Sequence, residues 1–188
     1  SVSAVKNGHP IDTSMGLTPL EGLMMGTRTG DIDPAVVFHL QRVAGMSVDE
    51  VDTLFNKKSG MKGMTGESDM RSVWAMIHND EDPENQQRAR TAMDVYVNRL
   101  LKYVGSYTAE LGGLDVITFT AGIGENDSDV RRELAEALAP FGVKIDVEAN
   151  KVRSGEPRIV STPDSTVTLV VFPTNEELAI ARQALTFA

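Results

Sequence analysis

The sequence predicts an α/β layer fold, and three observations carry that prediction. Short β-branched runs alternate with helical patterns in its second half. One of those runs, Val116-Ile-Thr-Phe-Thr120, passes directly into Ala-Gly-Ile-Gly and then into a charged segment. The first half carries readable helix starts, among them Asp33-Pro34 and the pair Ser47 and Glu50.

In chain order, residues 1 to 5 alternate as a strand does, and Lys6-Asn7-Gly8 is a hairpin turn signal. From Asp12 to Pro34 no period is visible. Gly16, Gly22, Gly26 and Gly30 punctuate a segment still rich in Leu and Met, which reads as a folded active-site loop. A helix follows with Asp33 as N-cap and Pro34 in the first position, its apolar face formed by Val36, Val37, Leu40 and Val43. A second opens at Ser47 and turns Val51, Leu54 and Phe55 inward. Gly60 to Ser68 reads as a looser segment, Asp69 to His78 as a shorter helix and Asn79 to Asp82 as a loop.

The longest helix is expected from about Pro83 to Leu111, with Ala92, Tyr96, Leu100, Tyr103, Tyr107 and Leu111 on one face. Then come the strand Val116–Thr120 and a helix from Asp127 to about Leu138, stopped by Gly142. Strands are expected at Val143–Asp146, Arg158–Val160 and Val167–Phe172, and a closing helix from Asn175 to about Leu185. No stretch has the composition of a linker, so one domain is expected.

Composition narrows the function. With 27 acids against 18 bases the net charge is −9, which opposes nucleic-acid binding, and Lys57, Lys58 and Lys62 are too few for a basic stripe. No run approaches the roughly 20 apolar residues of a membrane span, and the first ten residues lack a signal-peptide pattern. Cysteine is absent, which excludes disulfides and thiolate metal sites and suits a reducing cytoplasm. The chain does not start with Met and reads as the interior of a longer one.

The Gly122-Ile-Gly124 connection has two readings. Glycines after a strand let a ligand approach the backbone, and a following helix start offers N–H groups to an anion such as a nucleotide phosphate. A plain tight βα turn has the same appearance. Arg28 lies between Gly26 and Gly30, where a guanidinium suits a carboxylate or a phosphoryl group; the alternative is an ion pair with Asp31 or Asp33. Glu176 and Glu177 follow a strand, where one of them is placed to hold Mg²⁺, or where both simply complement a helix dipole. Asp69-Met70-Arg71 is either a nucleoside contact or an N-cap beside a solvated base. His9, His39 and His78 share no metal spacing and read as structural. From the residues alone, this is a phosphate-handling α/β domain.

Three blocks resemble the acetate kinase family, in the same order and at similar spacing. They are the Asp12–Pro34 segment with its Met25-Gly-Thr-Arg28, Phe119-Thr-Ala-Gly-Ile-Gly-Glu-Asn126, and Pro173-Thr-Asn-Glu-Glu-Leu-Ala-Ile-Ala-Arg182. The likeness covers essentially the whole chain. It implies the ribonuclease H-like βββαβαβα domain of the sugar-kinase, heat-shock ATPase and actin superfamily, a mixed sheet flanked by helices. It further implies that residues 1–188 correspond to the second, C-terminal nucleotide-binding domain, with the first domain absent, as well as the phosphate loop that in the family lies just before the Ser1-Val-Ser-Ala4 strand.

The family transfers the γ-phosphoryl of ATP reversibly to acetate, giving acetyl phosphate and ADP; propionate and butyrate kinases are close alternatives. By this resemblance Arg28 stabilises charge on the phosphoryl in flight, and Gly122, Ile123, Gly124, Glu125 and Asn126 form the nucleotide-binding turn. Asp69, Met70 and Arg71 contact the nucleoside, and Glu176 is the Mg²⁺-associated acid. The resemblance also implies a cytoplasmic enzyme and a homodimer joined through this domain. The fragment by itself is then expected to be inactive, a nucleotide-binding and dimerisation module.

Overall fold

A computed structural model describes residues 1–187, which pack as two compact units, Ser1–Gly113 and a second from Leu114 onward. The boundary falls at Gly112-Gly113, with Gly112 in the left-handed conformation that closes a helix.

The first unit begins with an antiparallel hairpin, β1 (Ser3–Lys6) and β2 (His9–Thr13). Its turn residues Asn7 and Gly8 both have positive φ, 52° and 78°, as a tight two-residue hairpin requires. Residues 14 to 33 form no helix or strand, as their glycine content predicts, yet Ser14, Leu23 and Met24 are buried. Five helices follow: α1 (Ala35–Arg42), α2 (Val48–Lys57), α3 (Gly60–Thr65), α4 (Met70–Asn79) and α5 (Pro83–Leu111). Ser47 and Glu50 make the expected reciprocal capping box, and Asp69 caps α4. Helix α1 starts one residue later than expected, with Pro34 in the cap position and Asp33 accepting from the Ala35 N–H; Asp82, expected only as loop, caps α5.

Helix α5 runs 29 residues and is the core of this unit, burying Ala89, Ala92, Met93, Tyr96, Val97, Leu100, Val104 and Tyr107. Tyr103 sits at the margin of that face, because its hydroxyl is drawn to a carboxylate described below. Two expectations need correction here. The apolar face of α1 is not buried in the unit: Val36 and Val43 are 38% and 72% exposed. Its amphipathic period is real, but of that face only Val37 and Leu40 are half-buried, where α1 packs on α2. The segment after Gly60 is a helix, α3. Its first N–H groups are satisfied by loop carbonyls distant in sequence, Met61 to Met25 and Lys62 to Gly26, so no local cap advertises it.

The second unit contains β3 (Val116–Phe119), α6 (Ala121–Asn126), α7 (Ser128–Ala137), α8 (Val147–Lys151), β4 (Arg158–Ile159), β5 (Thr168–Val171) and α9 (Glu176–Ala184). The sheet is mixed, in the order β3-β5-β4: β3 and β5 are parallel, while β4 runs antiparallel to β5. Phe119, Leu169 and Val171 are its buried side chains, flanked by Val160 and Val167, and Val130, Leu134 and Leu138 are buried in the helical layer.

The strand expected at Val143–Asp146 is reduced to a single bridge, Ile145 to Ser161. The Ser165 hydroxyl takes the Lys144 N–H, and Asp146 caps α8 by accepting from Glu148 and Ala149, which turns the chain away from the sheet. The hairpin β1–β2 remains a separate two-stranded sheet in the first unit.

Candidate functional site

In the first unit the loop bearing Arg28 is wedged between two helix ends. The carbonyls of Phe55 and Asn56, at the C-terminus of α2, accept from the Thr29 N–H and the Thr27 hydroxyl. The first N–H groups of α3 donate to Met25 and Gly26, and Ser59 donates to Thr27. A tight turn, Met25 N–H to Arg28 C=O at 3.1 Å, closes the loop on itself. The fit leaves no spare volume: a Cβ on Gly60 would collide with the Met25 carbonyl oxygen. Groups that a helix end leaves unpaired are therefore what hold this irregular chain.

Farther along the loop, Asp31 binds it to α5. Its carboxylate accepts from the Gly22 N–H at 2.8 Å, the Tyr103 hydroxyl at 2.7 Å and Arg99 at 3.2 Å. Burial, followed by the hydrogen bond to Asp31, pushes the Tyr103 phenol well above its ordinary range. Asp31 is thus engaged by Arg99 and Tyr103, and Asp33 by the start of α1, so neither pairs with Arg28. Among the described residues, the half-buried Arg28 guanidinium makes no hydrogen bond or ion pair. Arg28 lines a cavity of about 690 Å³ together with Thr27, Asp52, Asn56, Lys57 and Ser68.

Ser68 immediately precedes Asp69-Met70-Arg71, so that segment opens α4 beside the Arg28 cavity. Asp69 takes the N-cap role, accepting from the Arg71 N–H at 2.8 Å and pairing with its guanidinium at 2.6 Å. Hydrogen bonds from Arg71 hold the Asp69 carboxyl down at about 2.

In the second unit, parallel pairing of Phe119 with Val171 brings the C-terminal ends of β3 and β5 to one sheet edge. The segments leaving those ends are the glycine segment and the turn into α9, so the Gly122–Asn126 stretch and Glu176 share that edge. The glycine segment differs from the expected turn. Gly122, Ile123, Gly124, Glu125 and Asn126 all lie inside α6, and the sharp change of direction occurs at Ala121, whose φ is 59°. A non-glycine residue in the left-handed region is strained and must be held there by its surroundings. Glu125 supplies part of that hold: one carboxylate oxygen accepts from the Ala121 N–H at 2.8 Å and the Thr174 N–H at 3.0 Å. The first donor of α6 is therefore already satisfied within the protein.

The two glycines are not equivalent. A Cβ on Gly124 would lie 3.2 Å from the Phe119 backbone, whereas one on Gly122 would meet nothing within 4 Å. Gly124 serves close packing of helix on strand, and Gly122 leaves its backbone open to solvent. Glu176 sits exposed in the first turn of α9, beside Glu177 and behind the cap made by Asn175. Among the described residues no group of three or more His, Cys, Asp or Glu is placed to hold a metal ion. A single free carboxylate fits an ion such as Mg²⁺ that arrives on phosphate oxygens and keeps most of its waters. His78 stacks on Trp74, as a structural histidine would.

The acetokinase family profile matches residues 1–182. The chain belongs to that family. It is 53% identical to the acetate kinase of Corynebacterium aurimucosum over 98% of its own length, and 54% identical to that of Streptomyces avermitilis over 97%. It spans under half of those relatives, 44% of each. Among crystal structures, Porphyromonas gingivalis acetate kinase superposes with a TM-score of 0.89 at 42% identity, covering 98% of this chain and 45% of that one. A Francisella tularensis propionate kinase superposes at 0.85 with 40% identity, covering 95% of this chain and 44% of the other. The fold is thus the actin-like ATPase fold of the acetate kinases.

The sequence reading missed Asp31 as an organiser of the Arg28 loop, and Arg131 altogether. Arg131 lies buried under the glycine segment, but in a helix as charged as Ser-Asp-Val-Arg-Arg-Glu it looks like one more solvated base.

Proposed function

We propose that this chain is the C-terminal, nucleotide-binding part of an acetate kinase, an enzyme that transfers the γ-phosphoryl of ATP reversibly to acetate. The observation that supports it best is the unpaired Arg28 guanidinium lining a polar cavity, in a chain of the acetokinase family. A fixed, always-charged fork with no internal partner is suited to stabilise negative charge that develops on a phosphoryl group between donor and acceptor. In this reading Asp69, Met70 and Arg71 lie against the nucleoside, and the backbone of Gly122, Ile123, Gly124, Glu125 and Asn126 lies against the rest of the nucleotide. Glu176 is the residue that would hold Mg²⁺, which when bound would supply positive charge against the phosphate oxygens.

Propionate is the rival acceptor, favoured by the likeness to a propionate kinase structure. One methylene in an apolar pocket is worth only about 1–3 kcal/mol, so the acceptor is decided by comparing kcat/KM for the two acids. No described helix is long and apolar enough to cross a membrane. We place the reaction in the cytoplasm and the enzyme in a homodimer formed through this domain; equilibrium sedimentation at monomer mass would remove the dimer.

The test is calorimetric titration of ADP with Mg²⁺ into the protein and into Gly122→Ala. The open space at Gly122 predicts that the variant folds with unchanged Tm. Nucleotide affinity should fall roughly tenfold, because the methyl stands where the ligand approaches the backbone. Equal affinity in a folded variant would remove the glycine segment from the site.

A further inference from the structure

Helix α6 should not hold its shape unaided. It has six residues, two of them glycine, far short of the length at which an isolated helix persists in water. Its conformation must be imposed from outside. The group that does so at its C-terminal end is Arg131, whose exposure is 2%.

The Arg131 guanidinium spends its donors almost entirely on main chain. One terminal nitrogen donates to the carbonyls of Gly124 at 2.8 Å and Glu125 at 3.0 Å. The other donates to the Asn150 carbonyl at 2.7 Å, and Nε donates to the Asn150 side-chain oxygen, also at 2.7 Å. Asn150 is itself 2% exposed, and its amide nitrogen donates to the Ser128 carbonyl at 2.8 Å. Arg131, Asn150 and the start of α7 therefore form one buried network that grips the last carbonyls of α6.

No carboxylate forms an ion pair with Arg131 among the described residues. Burial, together with the charge of Arg158, lowers its proton affinity, yet a guanidinium stays protonated. A buried cation whose main partners are the carbonyls of a glycine-bearing segment costs desolvation that plain packing would avoid. Lysine cannot replace it, because a single ammonium cannot span both α6 carbonyls and Asn150 in one plane.

We propose that Arg131, oriented by Asn150, is the positioning residue that fixes the Gly122–Asn126 backbone for the nucleotide. The proposal rests on the nucleotide reading of that segment given above. It does not require Arg131 to touch the ligand, since the side chain acts through the carbonyls of Gly124 and Glu125.

Two measurements on Arg131→Lys and Arg131→Ala test it, each at a temperature where both variants are fully folded by circular dichroism. The first is ADP affinity with Mg²⁺, expected to fall roughly tenfold or more in both, since a displacement near 1 Å is costly at a positioned site. In Arg131→Ala, guanidinium at tens of millimolar should recover part of the affinity, while equal urea should not. The second is amide exchange in the ligand-free protein. Exchange should accelerate at Ile123 to Asp127 and stay unchanged along β3 and β5.

Unchanged ADP affinity in folded variants, or loss without guanidinium rescue and with exchange accelerated throughout the unit, overturns the proposal. If the unmodified protein binds no ADP, the nucleotide reading fails on that measurement. The exchange pattern then judges Arg131 separately, and unaltered exchange in α6 overturns its role as a brace.

Discussion

The Arg28 loop of the first unit and the glycine segment of the second present different kinds of group, and each is held accordingly. In the loop the group left free is a side chain, and the backbone beneath it is anchored by an anion: Asp31 collects the Gly22 N–H, Arg99 and Tyr103. In the glycine segment the group left open is the backbone at Gly122, and the segment is anchored by a cation: Arg131 collects the carbonyls of Gly124 and Glu125. At Gly22 the irregular loop leaves an N–H donor that needs an acceptor, whereas the C-terminal end of α6 leaves carbonyls that need a donor. The sign of each anchor follows from which main-chain group the local geometry leaves unpaired. The anchors also leave different things free, the Arg28 side chain in one case and the Gly122 backbone in the other.

The strongest way to break this comparison is to separate anchor from effector in the first region. Arg28→Ala should lower kcat for acyl phosphate formation by about 10²–10³ in an enzyme containing this chain, as loss of one transition-state contact does. Its Tm should not change, because Arg28 has no partner to lose among the described residues. A lowered Tm with near-normal turnover would make Arg28 structural and reverse the assignment.

A smaller effect is expected from the anchor itself. Asp31→Ala strands the Gly22 N–H, the Tyr103 hydroxyl and Arg99, and should cost about 1–3 kcal/mol in urea unfolding. No change in the unfolding midpoint would mean that the two helix ends hold the loop without Asp31.

The smallest effect is a pH dependence that sharpens the role of Tyr103. Its phenol is raised in the folded protein above the unfolded value of about 10. A group raised on folding contributes stability that is complete below the unfolded value and is lost as pH climbs towards the folded one. Stability should therefore decline above about pH 10, and Tyr103→Phe should flatten that part of the profile. An identical alkaline decline in the variant would place its origin elsewhere.

Much of this was legible in the sequence, for local reasons. The Ser47–Glu50 capping box, the Asn7-Gly8 turn and the Gly142 stop each act within a few residues, so spacing alone revealed them. What misled was equally physical. Helix α3 takes its cap from Met25 and Gly26, more than thirty residues away in sequence, and so reads as a loop. The glycine segment reads as a turn because glycine disfavours helix, but Glu125 and Arg131 impose one from either end.

The sequence by itself determined the alternation of strands and helices, the family, and the residue types at Arg28, Gly122, Gly124 and Glu176. Those properties reside in short-range periodicity, capping chemistry and motif order. Only the tertiary structure decided that Asp31 and Asp33 have other partners and leave Arg28 unpaired, that Gly124 is packed while Gly122 is open, and that Arg131 is a buried brace. Burial and pairing depend on which distant groups arrive at a place, and no local pattern encodes that.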